Sequence, residues 1–281
     1  MSNNDLELSF EFFPPRTDAG VESLAKTRAK LARYRPEFFS VTFGAGGSTR
    51  DKTMETVLDI RHNSTINAAP HITSVGATNA EIIELLNTYH DNGIRHVVAL
   101  RGDPPGGTVG LGECRYASDL VKLIRRDFDD QFTIAVGAYP EAHPDSRNLA
   151  DEVRHFATKM AAGADLAITQ YFYNRDSFYH FVDLCQKQGI SQPIIPGIMP
   201  INNFDNIVKF SNRCGAEIPR WLHKSMLSYD GDTDSQRKLG VEIVSGMCRD
   251  LLDNGAEGLH FYTMNQAGLS CAILDNLGLA S

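Results

Sequence analysis

The sequence predicts an α/β fold, a single (β/α)8 TIM barrel, and three observations carry that reading. Short apolar runs alternate with longer amphipathic stretches along nearly all of the 281 residues. The alternation runs to about eight strand–helix units, the number that closes a parallel sheet on itself. No GxGxxG opens a helical stretch, which weakens the rival reading, an open doubly wound sheet. No composition shift marks a linker, so residues 1–281 read as one domain.

The elements follow in order. LELSFEFF (6–13) is the first strand, and a helix over about 21–34 follows it. FFSVTF (38–43) precedes a helix over about 49–62. INAAPHIT (66–73) precedes one over about 79–92. IRHVVALR (94–101) leads through a Pro/Gly-rich loop to a helix over about 117–128. FTIAVGAY (132–139) precedes a helix over about 149–162, and LAITQYF (166–172) one over about 176–188. PIIPGIM (193–199) leads to NFDNIVKFSNRCG. The stretch 218–233 reads as an insertion before a helix over about 232–254. GLHFYTMN (258–265) is the last strand, with a closing helix to about 277. Gly93, Gly163, Gly189 and Gly255 stand where helices should stop.

Composition narrows the function. A net charge of −8 argues against nucleic acid as a partner, because phosphate binding needs a basic face. No apolar run approaches a membrane span, and Met1 to Asp5 is polar, without the apolar core of a signal peptide. The five cysteines are scattered and form no CxxC. A reduced, soluble, cytoplasmic protein is expected.

Strand alternation then selects candidate site residues. In LELSFEFF, Leu6, Leu8, Phe10 and Phe12 share one face, and Glu7, Ser9, Glu11 and Phe13 the other. If the apolar face meets the helices, Ser9 and Glu11 point into the barrel. Glu11 then sits near the C-terminal end, where barrel sites are built. Burial near aromatics is expected to raise its pKa, which suits a general acid. An arginine-paired structural glutamate is the alternative. Other strand ends add Thr42 before GAGGST, His71, Arg101 and Asp103 in RGDPPGG, Tyr139 and His143 in AYPEAHP, Gln170, and Tyr262, Asn265 and Gln266. Each also has a structural reading as turn, cap or satisfied core group. No HExxH, GxSxG or strand-end cysteine–base pair occurs, so neither metal nor a side-chain nucleophile is expected, and an organic cofactor is.

SFEFFPP, SVTFGAGGSTRD, APHIT, GIRHVVALRGDPP, AYPEAHP, AITQYFY, PGIMP and LHFYTMN together resemble methylenetetrahydrofolate reductases, from residue 9 to residue 265. The resemblance implies a barrel binding FAD non-covalently. It implies hydride transfer from NADH or NADPH through the flavin to 5,10-methylenetetrahydrofolate. It also implies the bacterial, barrel-only form and a homo-oligomer. Glu11 matches the family's general acid and Asp103 its flavin-proximal carboxylate. Phe43, Ala45, His71, Arg101, Gly102, Asp103, Tyr116, Ala117, Tyr139, His143, Glu152, His155 and Lys159 match flavin contacts. Thr42, Gln170, Asn206, Phe210 and Gln266 match substrate contacts. Phe43, His155, Thr158, Asn206 and Gln266 depart from the enterobacterial pattern; Gln266 stands where that pattern has an arginine. Two rivals are a pterin-binding methyltransferase on the same barrel, without FAD, and a non-catalytic homologue.

Overall fold

A computed structural model describes residues 6–44, 49–102 and 112–279. Its strands are β1 (Glu7–Phe12), β2 (Phe38–Val41), β3 (Asn67–Thr73), β4 (His96–Leu100), β5 (Thr133–Ala138), β6 (Leu166–Thr169), β7 (Ile194–Ile195), β8 (Gly197–Ile198) and β9 (Gly258–Tyr262). All pair in parallel in the order β7-β6-β5-β4-β3-β2-β1-β9-β8. The helices are α1 (Asp18–Ala32), α2 (Arg50–Asn63), α3 (Asn79–Asp91), α4 (Ala117–Phe128), α5 (Leu149–Ala161), α6 (Arg175–Lys187), α7 (Phe204–Cys214), α8 (Arg220–Leu227), α9 (Thr233–Asp253) and α10 (Gly268–Asn276).

The seventh expected strand is two short pieces, and the break is chemical. Pro196 has no N–H to give a ladder. Before it, β7 pairs with β6; after it, β8 pairs with β9. The Pro196 carbonyl still accepts from His260 N at 3.0 Å, so this segment closes the barrel. Gly197 makes the closure possible. A Cβ there would lie 2.1 Å from the Thr169 carbonyl oxygen, and its N–H donates to Thr169 Oγ1 at 2.8 Å.

The stretch 218–233, read as an insertion, holds α8. Its Leu222 and Met226 are one turn apart and buried, which docks the helix, while Trp221 and Leu227 stay exposed. The expected stops Gly93, Gly163, Gly189 and Gly255 all have positive φ.

Two apolar layers result from strand alternation. Leu8, Phe10, Phe12, Phe39 and Phe261 face outward into the layer shared with the helices. Phe38, Ala69, Val98, Ala135, Leu166 and Ile195 fill the barrel interior. The sequence assignment of the two faces of β1 holds: its outward set packs on helices, and Ser9 and Glu11 turn inward.

Candidate active site

Glu11 reaches the interior because the pleat leaves its side chain opposite the helix layer. Its register neighbours are Ser40 on β2 and Tyr262 on β9. The ends of β1 and β9 are tied together around it. Asn265 acts like a backbone segment: Phe13 N–H donates to its Oδ1 at 3.0 Å and its Nδ2 donates to Phe13 O at 2.9 Å. Thr263 Oγ1 donates to the Glu11 carbonyl at 2.7 Å. Met264 and Asn265 take φ of 51° and 57°, a conformation Asn tolerates better than most residues.

Two imidazoles face the carboxylate. His71 Nε2 lies 3.3 Å from Glu11 Oε2 and His260 Nε2 lies 3.8 Å from the same atom. Both Nε2 atoms are buried and complete no hydrogen bond among the described residues. His260 Nδ1 is 2.7 Å from the Ser9 hydroxyl. With Nε2 turned to an anion, the ring's proton belongs on Nε2, and Nδ1 accepts from Ser9.

Burial does push the Glu11 carboxyl up, as the sequence reading expects. The imidazoles of His260 and His71 outweigh it and hold the pKa down to about 2, against an ordinary 4.5. The expected raised pKa is therefore corrected for the ligand-free site. Burial also depresses His260, which favours its neutral ring. Alternation on one strand could reveal the burial of Glu11 but not the two histidines opposite it.

Glu11 opens into a cavity of about 380 Å³ at the C-terminal end of the strands. That volume is within the range of small-ligand sites. Of the expected residues, Glu11, His71, Tyr139, Gln170, Phe210 and Tyr262 line it. Val98, Leu100, Ile168 and Met199 supply apolar wall, and Gly137 adds a wall position without a side chain. Gln170 Oε1 accepts from Tyr171 N at 3.0 Å. Tyr262 Oη donates across the barrel to Thr169 O at 2.7 Å, and burial keeps it a neutral phenol.

The remaining expected residues lie around this cavity or apart from it. Arg101 pairs with Asp145 at 2.9 Å, and the Tyr139 and His143 rings meet edge to face at 4.7 Å. Gly102 has φ +82° at the end of β4. Glu152 is only 2% exposed and accepts from Ser146 Oγ at 2.6 Å, which anchors the loop carrying His143. Lys159 donates to Gly137 O at 2.6 Å, and burial lowers its pKa to about 8. Thr42 and Phe43 follow β2 and are partly buried, outside the cavity lining. Tyr116 is 62% exposed beside Ala117 at the start of α4. His155 and Asn206 are exposed on α5 and α7, and Gln266 accepts from Asn202 Nδ2 at 3.1 Å. Asp103 and Ala45 lie outside the described residues.

His260, Tyr171, Arg213 and Cys214 line the cavity without having been singled out in the sequence. For His260 a signal existed: it shares parity with Tyr262 and pairs in register with Ser9. Arg213 and Cys214 carry no such signal, because α7 is amphipathic whichever way it faces the barrel mouth.

A parallel barrel with a carboxylate, two imidazoles and an amide converging at its C-terminal end has the architecture of a (β/α)8 enzyme. The chain belongs to the methylenetetrahydrofolate reductase family, whose model matches residues 1–278. It is 40% identical over 274 residues to the 5,10-methylenetetrahydrofolate reductase of Escherichia coli (strain K12), covering 98% of this chain and 91% of that one. It is 40% identical over 277 residues to the Buchnera aphidicola subsp. Schizaphis graminum protein of that name, with 99% and 94% covered. An Arabidopsis thaliana relative, methylenetetrahydrofolate reductase (NADH) 1, is 38% identical across 96% of this chain and 48% of its own length. Among solved structures, a Clostridium thermocellum protein described as binding two copies of 5-methyl-5,6,7,8-tetrahydrofolic acid shares the fold. Its TM-score is 0.63 at 17% identity, with 99% of this chain and 95% of that one covered.

Proposed function

We propose that this chain reduces 5,10-methylenetetrahydrofolate to 5-methyltetrahydrofolate, with NADH or NADPH as donor and non-covalent FAD as the carrier in a ping-pong sequence. The observation that carries the reading is the convergence of Glu11, His71, His260 and Gln170 on one cavity, in a chain of this family. Flavin, when bound, supplies two-electron hydride transfer between nicotinamide and folate. The residues present fit it. Val98, Leu100, Ile168 and the bare Gly137 leave an apolar slot for a flat ring. His71, Arg101, Gly102, Tyr139 and His143 would hold it, and the family resemblance assigns Asp103 the role of its flavin-proximal carboxylate.

Glu11 is the proton donor in this reading. It delivers a proton to folate N10, which opens the five-membered ring to an electrophilic iminium ready for hydride. The ligand-free carboxylate is ionised, so substrate binding must change its state. Covering a side chain that is 19% exposed with apolar rings removes its remaining water and drives the pKa upward. His71 and His260 then decide how far it rises. Gln170 and Thr42 position the nicotinamide and folate in turn, with Asn206, Phe210 and Gln266 toward the rest of the folate. Phe43, Ala45, Glu152, His155, Lys159, Tyr116 and Ala117 complete the flavin contacts implied by the family. Cytoplasmic location and a homo-oligomer belong to the same proposal. No helix among the described residues is long and apolar enough to cross a membrane.

The test is the visible spectrum of the purified protein, followed by anaerobic NADH and then methylenetetrahydrofolate. An oxidised-flavin spectrum that bleaches with NADH and returns with the folate is expected. A colourless protein that takes up no added FAD would overturn the reading.

A further inference from the structure

We propose that Arg213 on α7 binds the anionic tail of the folate-type substrate and so sets affinity for it. This rests on the reading that folate occupies the cavity above Glu11. Arg213 is the one lysine or arginine lining that cavity among the described residues. It is exposed and makes no ion pair or hydrogen bond with any described residue. Phe210 and Cys214 line the same cavity from one turn before it and from the next position, so this face of α7 is turned to the opening.

The neighbouring cations are committed elsewhere. Arg101 pairs with Asp145 at 2.9 Å, and Lys159 donates to Gly137 O at 2.6 Å. Arg237 donates to Asn202 Oδ1 at 2.9 Å and stands 3.6 Å from Asp234. Asn202 in turn donates to Gln266, which brings no charge of its own. Among the described residues, the cavity's other charged group is the Glu11 carboxylate.

A folate carries a flat pterin, a benzoyl ring and a glutamyl tail with two carboxylates. N10, which joins the pterin to the benzoyl ring, must approach Glu11 to receive a proton, and the tail carboxylates are repelled from that same acid. The tail therefore runs outward, toward Arg213. A guanidinium fork can take a carboxylate through two parallel N–H donors, and it is less strongly hydrated than an ammonium. Phe210 offers the ring preceding the tail an apolar face beside that fork. Arg213 does not touch the reacting atoms, so its effect belongs in KM and not in kcat.

The experiment compares the flavin-loaded wild type with Arg213→Gln and Arg213→Lys. The substrates are methylenetetrahydrofolate and the primary amide of methylenetetrahydropteroate, which has neither the glutamyl group nor any carboxylate, with NADH–menadione turnover as a measure of flavin loading. Arg213→Gln should raise KM for the glutamyl substrate about tenfold, the scale of one charge-assisted bond, with kcat within about twofold. Arg213→Lys should keep part of the affinity, and the KM for the uncharged pteroyl amide should move with neither substitution. The same KM for the glutamyl substrate in all three proteins overturns the proposal, as does an equal rise for both substrates, which marks a structural effect. A wild type that reduces menadione but neither folate substrate overturns the folate reading itself, and this proposal with it.

Discussion

Replacing Glu11 by Gln removes a charge and keeps the shape. A carboxyl whose folded-state pKa lies below its unfolded value adds stability above the unfolded value and loses it as pH falls through the folded one. Glu11 therefore contributes fully at pH 7, and its contribution fades between pH 4.5 and about pH 2. That interval, at about 1.36 kcal/mol per pH unit, is worth roughly 3 kcal/mol. Gln resembles the protonated acid, so Glu11→Gln should lower stability at pH 7 by that order. For a chain of this length the melting temperature should fall by roughly 6–12 °C, read by circular dichroism on flavin-free protein. A variant as stable as the wild type would show that His71 and His260 do not hold the charge. The same variant separates the half-reactions in stopped flow. Folate reduction should fall by about 10²–10⁴, the range for loss of a general acid, while flavin reduction by NADH changes by less than about tenfold. Equal losses in both would refute the role given to Glu11.

Other substitutions probe the frame around that acid. Gly197→Ala places a methyl against the Thr169 carbonyl, with Tyr262 Cε2 at 2.7 Å from it, and should cost about 3 kcal/mol or more in urea unfolding; a loss under about 1 kcal/mol would show that closure at Pro196–Gly197 is loose. Asn265→Ala removes both bonds to Phe13 and leaves a non-glycine at φ 57°, so it should cost about 2 kcal/mol and slow folate reduction more than flavin reduction. Asn265→Gly should be the milder change in stability, since it relieves the backbone while losing the same bonds; the reverse order would put the strain elsewhere. Lys159 has a folded pKa below its unfolded one, so its charge opposes folding at neutral pH and that opposition lifts as pH rises through about 8 toward 10.5. Lys159→Met should therefore leave the flavin-free melting temperature at pH 7 equal or higher and weaken FAD retention; a marked drop in melting temperature would make the Gly137 bond its main role.

The fold was legible because periodicity is local. The two faces of β1 follow from alternation in LELSFEFF alone, and glycine stops such as Gly93 follow from the left-handed turn that ends a helix. The broken seventh strand was half legible: Pro196 is visible in PIIPGIM, but its consequence depends on which neighbours it must pair with. Helix α8 was missed because its eight residues are too few to show a clear helical period, so its docking through Leu222 and Met226 appears only when a surface is there to receive them.

The sequence by itself determined the strand–helix alternation, the inward direction of Glu11, and, through its motifs, the family. Tertiary structure alone decided the state of Glu11. His71 comes from β3 and His260 from β9, 60 and 249 residues away along the chain, and only barrel closure brings both rings to one carboxylate. Burial pulls that pKa one way and two imidazoles pull it the other. The balance depends on distances between strands, and no local pattern encodes such distances.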